Sequence, residues 1–339
     1  MNREEKKTIL LAHGGGGRLS QRLILETILP LLGATDEKLT DSANLDLDSS
    51  KICFTTDSYV VKPLFFSGGD IGKLAVCGTL NDLAVAGCKP VAISLSLIIE
   101  TGFEIEQLEK IIESAAKAAK ENNVKIVTGD TKTVESGAAE GLFINTAGIG
   151  LRIYDTQLGF EKIKAGDKII ITGTIGDHGM TIMSQREGIK FDSPLVSDCA
   201  SLAPMLDEIL TKCTGIRFMR DPTRGGLAAT LSEITEATNL SIDINEAALP
   251  INPTVQAAAD MLGFDVLNIA NEGKAVIVVS ASQAEHCLAL CKKNVLGKNA
   301  SIIGEINSAN VQALVEMKTR IGGRRIVQMP YGRELPRIC

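Results

Sequence analysis

Two hydrophobic periods take turns along this chain. Residues 51–61 cluster β-branched and aromatic side chains as a strand does, and 71–86 is an almost unbroken apolar run of helical length. A second strand is expected over 91–99. Over 104–120 the period changes to 3.6, with Ile105, Leu108, Ile111, Ile112, Ala115 and Ala119 on one face of an amphipathic helix. Strands follow over 125–128 and 141–150. After a looser stretch around 154–166 the style repeats, with a strand over 168–172, a Gly-rich turn and helices over 180–185, 202–212 and 226–237. A buried strand over 275–280, a helix over 283–292 and short strands between 300 and 328 complete the pattern.

Strand and helix alternating through both halves predict an α/β protein of mixed layers. The loosening near 155 divides it into residues 1–155 and 156–325, with 326–339 as a flexible tail. The length of 339 residues suits about two domains. Aromatic residues make up 4% and tryptophan is absent, so the core must come from Ala, Val, Ile and Leu.

A net charge of -6 offers no general attraction to nucleic acid or to an anionic membrane. No apolar run approaches the roughly 18 residues of a membrane span. The first seven residues carry both signs of charge, and the apolar stretch after them is too short for a signal peptide. The eight cysteines contain no C-x-x-C pair. A cytoplasmic protein with all thiols free is the expectation, and Cys287 and Cys291, beside His286, are read as small apolar residues of a buried helix face.

Candidate chemistry lies in the turns. Asp57 and Asp130 are placed at strand ends and Asp82 interrupts an apolar helix, where a carboxylate is costly unless paired or bound to a cation. Carboxylates gathered in this way suit Mg²⁺, which prefers oxygen ligands and bridges to phosphates. His13 to Arg18 encloses four glycines, Gly14, Gly15 and Gly16 among them, whose backbone N–H groups can wrap an anion. No Gly-Lys-Ser/Thr follows, so this is not a Walker A loop. Gly173 to Gly179 and Arg220 to Gly226 each lead into a helix, and Asn271-Glu272-Gly273-Lys274 precedes the buried strand. Two such turns with an acid beside a strand look like a split site. The chain ends Pro336-Arg337-Ile338-Cys339, a thiol on a short arm that a chemical group could load.

Taken together, these stretches resemble the superfamily of aminoimidazole ribonucleotide synthetase, thiamine monophosphate kinase and selenophosphate synthetase. The matching segments are Thr55-Thr56-Asp57, Gly78 to Gly87, Gly129-Asp130-Thr131, Gly176 to Gly179, Asp221 to Gly226 and Asn271-Glu272-Gly273. The glycine run and the Pro-Arg-Ile-Cys terminus are similar to its hydrogenase-maturation branch, the HypE family. That resemblance implies a two-domain aminoimidazole ribonucleotide synthetase-like fold, a homodimer with paired sheets, and ATP with Mg²⁺. It implies a carbamoyltransferase, HypF, that loads a carboxamide on Cys339. ATP-dependent dehydration to a thiocyanate would follow, with the cyano group passed to iron on a HypC–HypD complex.

On this expectation Asp57, Asp82 and Asp130 bind Mg²⁺–ATP together with Gly14, Gly15 and Gly16. Lys132 contacts phosphate or moves protons, and Glu272 is the base, its pKa raised by a partly dry setting. Two alternatives stay open: another ATP-dependent enzyme of the superfamily, such as selenophosphate synthetase, or a non-enzymatic assembly scaffold. The absence of cysteine from residues 1–52 argues against selenophosphate synthetase, which usually carries a reactive Cys or selenocysteine there.

Overall fold

A computed structural model describes residues 8–10, 13, 22–33, 51–154, 157–189, 191, 194–309, 312–329 and 338. Gly14, Gly15, Gly16, Arg18, the Asp41 turn and Cys339 lie outside the described residues.

The first half is a four-stranded sheet with two helices on one face. Strands β1 (Ile52–Tyr59), β4 (Lys89–Glu100), β5 (Lys125–Val134) and β6 (Leu142–Leu151) stand in the order β1-β6-β4-β5, antiparallel except for the parallel β4–β5 pair. A short hairpin, β2 (Phe65–Phe66) and β3 (Gly69–Asp70), leads into helix α1 (Ile71–Val85). Asp70 caps α1, its carboxylate accepting from the Gly72 and Lys73 N–H groups at 2.8 and 3.1 Å. Nearly every residue of α1 is buried, which is why its sequence is apolar all round. Helix α2 (Ile105–Glu121) buries Leu108, Ile111, Ile112, Ala115, Ala118 and Ala119 on the expected face.

The second half is a seven-stranded sheet, β13-β12-β9-β11-β7-β10-β8. Its strands are β7 (Lys168–Ile171), β8 (Ile216–Arg220), β9 (Leu240–Asn245), β10 (Val276–Val279), β11 (Ser301–Ser308), β12 (Val315–Lys318) and β13 (Arg324–Val327). Helices α3 (Asp177–Arg186), α4 (Ala203–Lys212), α5 (Gly226–Thr238), α6 (Pro253–Leu262) and α7 (Ala284–Lys293) complete the unit. The main hydrophobic core runs through both halves, from Ile71 and Leu95 to Ile171 and Val278. The mixed α/β layers read from the sequence are the observed architecture.

Two expectations change. The strand expected over 125–128 continues to Val134, so Asp130 is mid-strand rather than at a strand end. Gly129 permits this: a Cβ there would lie 2.1 Å from the Leu95 carbonyl oxygen, so only glycine lets β5 stay paired with β4. The thiols are also not all free, because Cys53 and Cys88 form a disulfide. Their Cα atoms are 6.4 Å apart, within the usual disulfide range. Gly150, opposite Cys53 on β6, leaves the space, since a Cβ on it would sit 3.0 Å from the Cys88 Cβ. Cys287 and Cys291 are buried on α7 as expected. Among the described residues no helix is long and apolar enough to cross a membrane.

Candidate active site at the junction of the halves

The carboxyl end of β1, the middle of α1 and the two turns of the second half meet at a narrow pocket of about 50 Å³. Asp57, Asp82, Asp221 and Glu272 line it, with Tyr59 and Arg224. Strand alternation turns Thr55, Asp57 and Tyr59 toward α1, and the helix presents Asp82 to them. Asp82 Oδ2 accepts from Thr55 Oγ1 at 2.9 Å, and Asp57 Oδ1 from the Ser58 N–H at 2.7 Å. Gly78 lets the two elements close, since a Cβ there would come within 2.3 Å of the Tyr59 hydroxyl.

Asn81, the neighbour of Asp82, joins the halves. Its side chain donates to the Ala200 and Glu272 carbonyls at 3.1 and 3.2 Å and accepts from the Leu202 N–H at 2.7 Å. Asn271 ties the turns of the second half to one another, accepting from the Gly176 N–H at 2.8 Å and donating to the Pro222 carbonyl at 2.9 Å. The Asp198 carboxylate holds the backbone N–H groups of Glu272 and Gly273 at 3.2 and 3.1 Å. It also pairs with buried Lys274 at 3.4 Å. Gly226, at φ +60°, packs so closely that a Cβ would fall 2.5 Å from the Leu267 carbonyl oxygen. Glu272 is therefore held by its backbone while its buried side chain faces the pocket.

The electrostatics follow from crowding like charges out of water. Burial raises the Asp82 pKa, and the Thr55 hydrogen bond offsets part of this. Asp221, which the sequence analysis quoted in a motif but gave no role, is pushed up to about 7 by burial and by the Asp82 charge. Burial and the Asp57 charge push Tyr59 well above its ordinary value, so its phenol stays neutral. Carboxylates so placed gain from a cation that neutralises them. Among the described residues no group of three or more His, Cys, Asp or Glu side chains is placed to hold a metal ion. Asp57 and Asp82, lining one pocket, would suit a Mg²⁺ ion, which commonly takes one or two carboxylates and completes its shell with phosphate oxygens and water.

Asp130 and Lys132 stand elsewhere. Asp130 Oδ1 and Lys132 Nζ form an ion pair at 2.9 Å, with the two side chains 58% and 64% exposed. Register places them beside Ser96 and Ile98, on the sheet face that the helices leave uncovered. Strands β4 and β6 separate them from β1, a span of roughly 14 Å at the usual strand spacing. Within one chain, then, Asp57, Asp82 and Glu272 come together and Asp130 and Lys132 do not.

The far end of the chain docks on α3. Ile338 is 4% exposed, and its carbonyl oxygen lies 2.6 Å from His178 Nε2 on α3.

Fold and site together define an AIR synthase related protein: the models of that family's N-terminal and C-terminal domains match residues 39–152 and 164–316. The carbamoyl dehydratase HypE of Bradyrhizobium diazoefficiens is 47% identical over 333 residues, 97% of this chain and 95% of its own. The crystal structure of hydrogenase maturation protein HypE in complex with ATP superposes with a TM-score of 0.93 at 41% identity, covering 98% of this chain and 100% of that one. A HypE–HypF complex structure matches with a TM-score of 0.80 at 48% identity over 84% of this chain and 92% of that one. The chain belongs to the HypE family of hydrogenase maturation carbamoyl dehydratases.

Proposed function

We propose that this protein uses ATP to dehydrate a carboxamide carried on its own C-terminal thiol. The product is a thiocyanate on Cys339 that supplies the cyanide ligand of a [NiFe] hydrogenase iron. The observation that carries the reading is the burial of Ile338, the residue before Cys339 in the chain, with its carbonyl on His178 at the start of α3.

A carboxamide oxygen is a poor leaving group, and Mg²⁺–ATP supplies the phosphoryl group that makes it a good one. The C–O bond breaks, the oxygen departs as phosphate, two N–H protons are lost and the C–N bond becomes triple. Glu272 accepts an N–H proton, its backbone held still by Asp198 while its side chain faces the reacting group. Asp57 and Asp82 would hold Mg²⁺ beside Asp221, and the ion would neutralise charge on the phosphates. The enclosure keeps out water that would intercept the activated carboxamide.

The pocket of about 50 Å³ takes one small group. Ligand pockets for drug-sized molecules run to about 300 Å³ or more, so the rest of the nucleotide lies across its mouth. Gly14, Gly15 and Gly16 would wrap its phosphates, a role that rests on the sequence. Asp130 and Lys132 join through a homodimer: the uncovered sheet face carries Phe54 at 68% exposure and Ile98 at 40%, and stacking two such faces brings each copy's pair toward the other's nucleotide. Residues 1–155 and 156–325 serve as the two units and 326–339 as the carrier arm, its first two residues still within β13. HypF loads the carboxamide, a HypC–HypD complex receives the cyano group, and the setting is cytoplasmic.

Incubation with HypF, carbamoyl phosphate and ATP, followed by intact-mass measurement, tests the proposal. A carboxamide adduct on Cys339 that then loses one water is the expected result. An adduct that persists in the presence of ATP removes the dehydration step, and no adduct at all removes the carrier role.

A further inference from the structure

His178 stands in the Gly173–Gly179 turn where it opens α3. The side chain is fully buried, between the edge of Phe66, with ring centroids 5.5 Å apart, and Ser197. Its Nε2 faces the Ile338 carbonyl oxygen at 2.6 Å. A carbonyl can only accept, so Nε2 carries the proton. Nδ1 then accepts, and its partner at 2.8 Å is the Ser197 hydroxyl. Ser197 Oγ in turn accepts from the Cys199 N–H at 3.0 Å. A single directed chain thus runs from the Cys199 N–H through Ser197 and His178 to the last peptide carbonyl before the terminal residue. Burial lowers the His178 pKa, in keeping with a neutral ring.

The same segment also sets the site. Ser197 orients His178, and the next residue, Asp198, holds the Glu272 backbone. Two adjacent residues therefore hold the tail's partner and the backbone of the base.

We propose that His178, oriented by Ser197, is the latch that fixes the register of the terminal thiol relative to Glu272. It is a positioning residue for the proposed dehydration and rests on that reading. The latch grips the backbone of residue 338, so it acts whatever group the thiol carries, and it must let go whenever Cys339 meets HypF or delivers its cargo.

The test uses the full-length protein and two readouts. The first is the rate at which iodoacetamide alkylates Cys339, followed by peptide mass; the described free cysteines are all buried. His178→Ala should alkylate roughly 10-fold faster than the wild type, the scale set by one lost buried hydrogen bond. Ser197→Ala should alkylate about 3-fold faster, and His178→Gln, which keeps an N–H donor, should stay near the wild type. The second readout is dehydration of the loaded protein with ATP, in which His178→Ala should be about 10-fold slower at unchanged nucleotide affinity. Wild-type alkylation in His178→Ala overturns the latch. So does His178→Gln behaving like His178→Ala, because the ring's bulk and not its hydrogen bond would then matter. If His178→Ala does not fold, Ser197→Ala decides, and an unchanged rate there overturns the proposal. A loaded wild type that never loses water sinks the dehydration reading, while alkylation, which needs no ATP, still judges the latch.

Discussion

The two faces of the first sheet carry the same kinds of residue under opposite conditions. On the helix-covered face Asp57 and Asp82 meet Asp221 and Glu272 with little water between them. On the uncovered face Asp130 accepts hydrogen bonds from Lys132 and the Thr131 N–H, and these, the lysine's above all, hold its carboxyl below the usual range. Burial and mutual repulsion instead drive Asp221 to about 7. An aspartate is thus poised for a cation by crowding away from solvent and satisfied by a lysine when left in it. The comparison separates a pocket preformed in one chain from a pair that, on the proposed reading, would serve the nucleotide across a second copy.

The sharpest way to break the buried side of this comparison is Glu272→Gln. The amide keeps the shape and loses the base, so dehydration of the loaded thiol should fall by about 10²- to 10⁴-fold while nucleotide binding persists. Normal turnover in single-turnover assays would remove Glu272 from the chemistry.

Asp221→Asn probes the crowding itself. The folded carboxyl is pushed up to about 7 while the unfolded one keeps its ordinary value of 3.8, so between these pH values the folded state keeps a proton that the unfolded state has lost. Its favourable contribution is whole below the lower value and is lost as pH rises through the upper one. Without Mg²⁺, Asp221→Asn should therefore be more stable than the wild type at pH 8, by roughly 1–3 kcal/mol, and no more stable at pH 3.5. Thermal unfolding at the two pH values checks this, and Mg²⁺ should narrow the gap by stabilising only the wild type. An equal advantage at both pH values would mean that charge crowding is not the cause.

These contrasts also mark what the sequence could disclose. The amphipathic helix over 105–121 was legible because its apolar positions repeat at 3.6 residues. The Asn271-Glu272-Gly273 turn was legible because an acid beside glycine before an apolar strand is unusual. The extension of β5 was not, because Gly129 looks like a turn residue until the Leu95 carbonyl is seen to fill the space of its missing side chain. Asp221 was quoted without a role, since its distinction is the proximity of Asp82, far away in the chain. The same holds for Cys53 and Cys88, which meet only because Gly150 leaves room. The one signal for His178 was its rarity, as one of three histidines in the chain.

On the open face, Phe54→Asp tests whether a second copy is there. Placing a charge on a side chain that is 68% exposed should cost the single chain little and should dissociate a face-to-face dimer by about 10-fold or more in Kd. Sedimentation velocity over a range of concentrations reads this directly. A dimer of undiminished strength would mean that the copies meet elsewhere.

The smallest effect on the fold, and the finest test of the comparison, belongs to Lys132→Ala. An exposed ion pair is worth little, so the unfolding midpoint should move by less than about 0.5 kcal/mol equivalent. The nucleotide should report a different loss. If Lys132 serves phosphates across the dimer, ATP affinity should weaken by roughly 5- to 10-fold, and by more at low salt than at high. Combining it with Phe54→Asp then discriminates. Once the copies are apart, Lys132→Ala should cost nothing further in ATP affinity, because its partner site has gone. An additional loss in the separated chains would place Lys132 at the nucleotide of its own subunit, and the division between the two faces would fail.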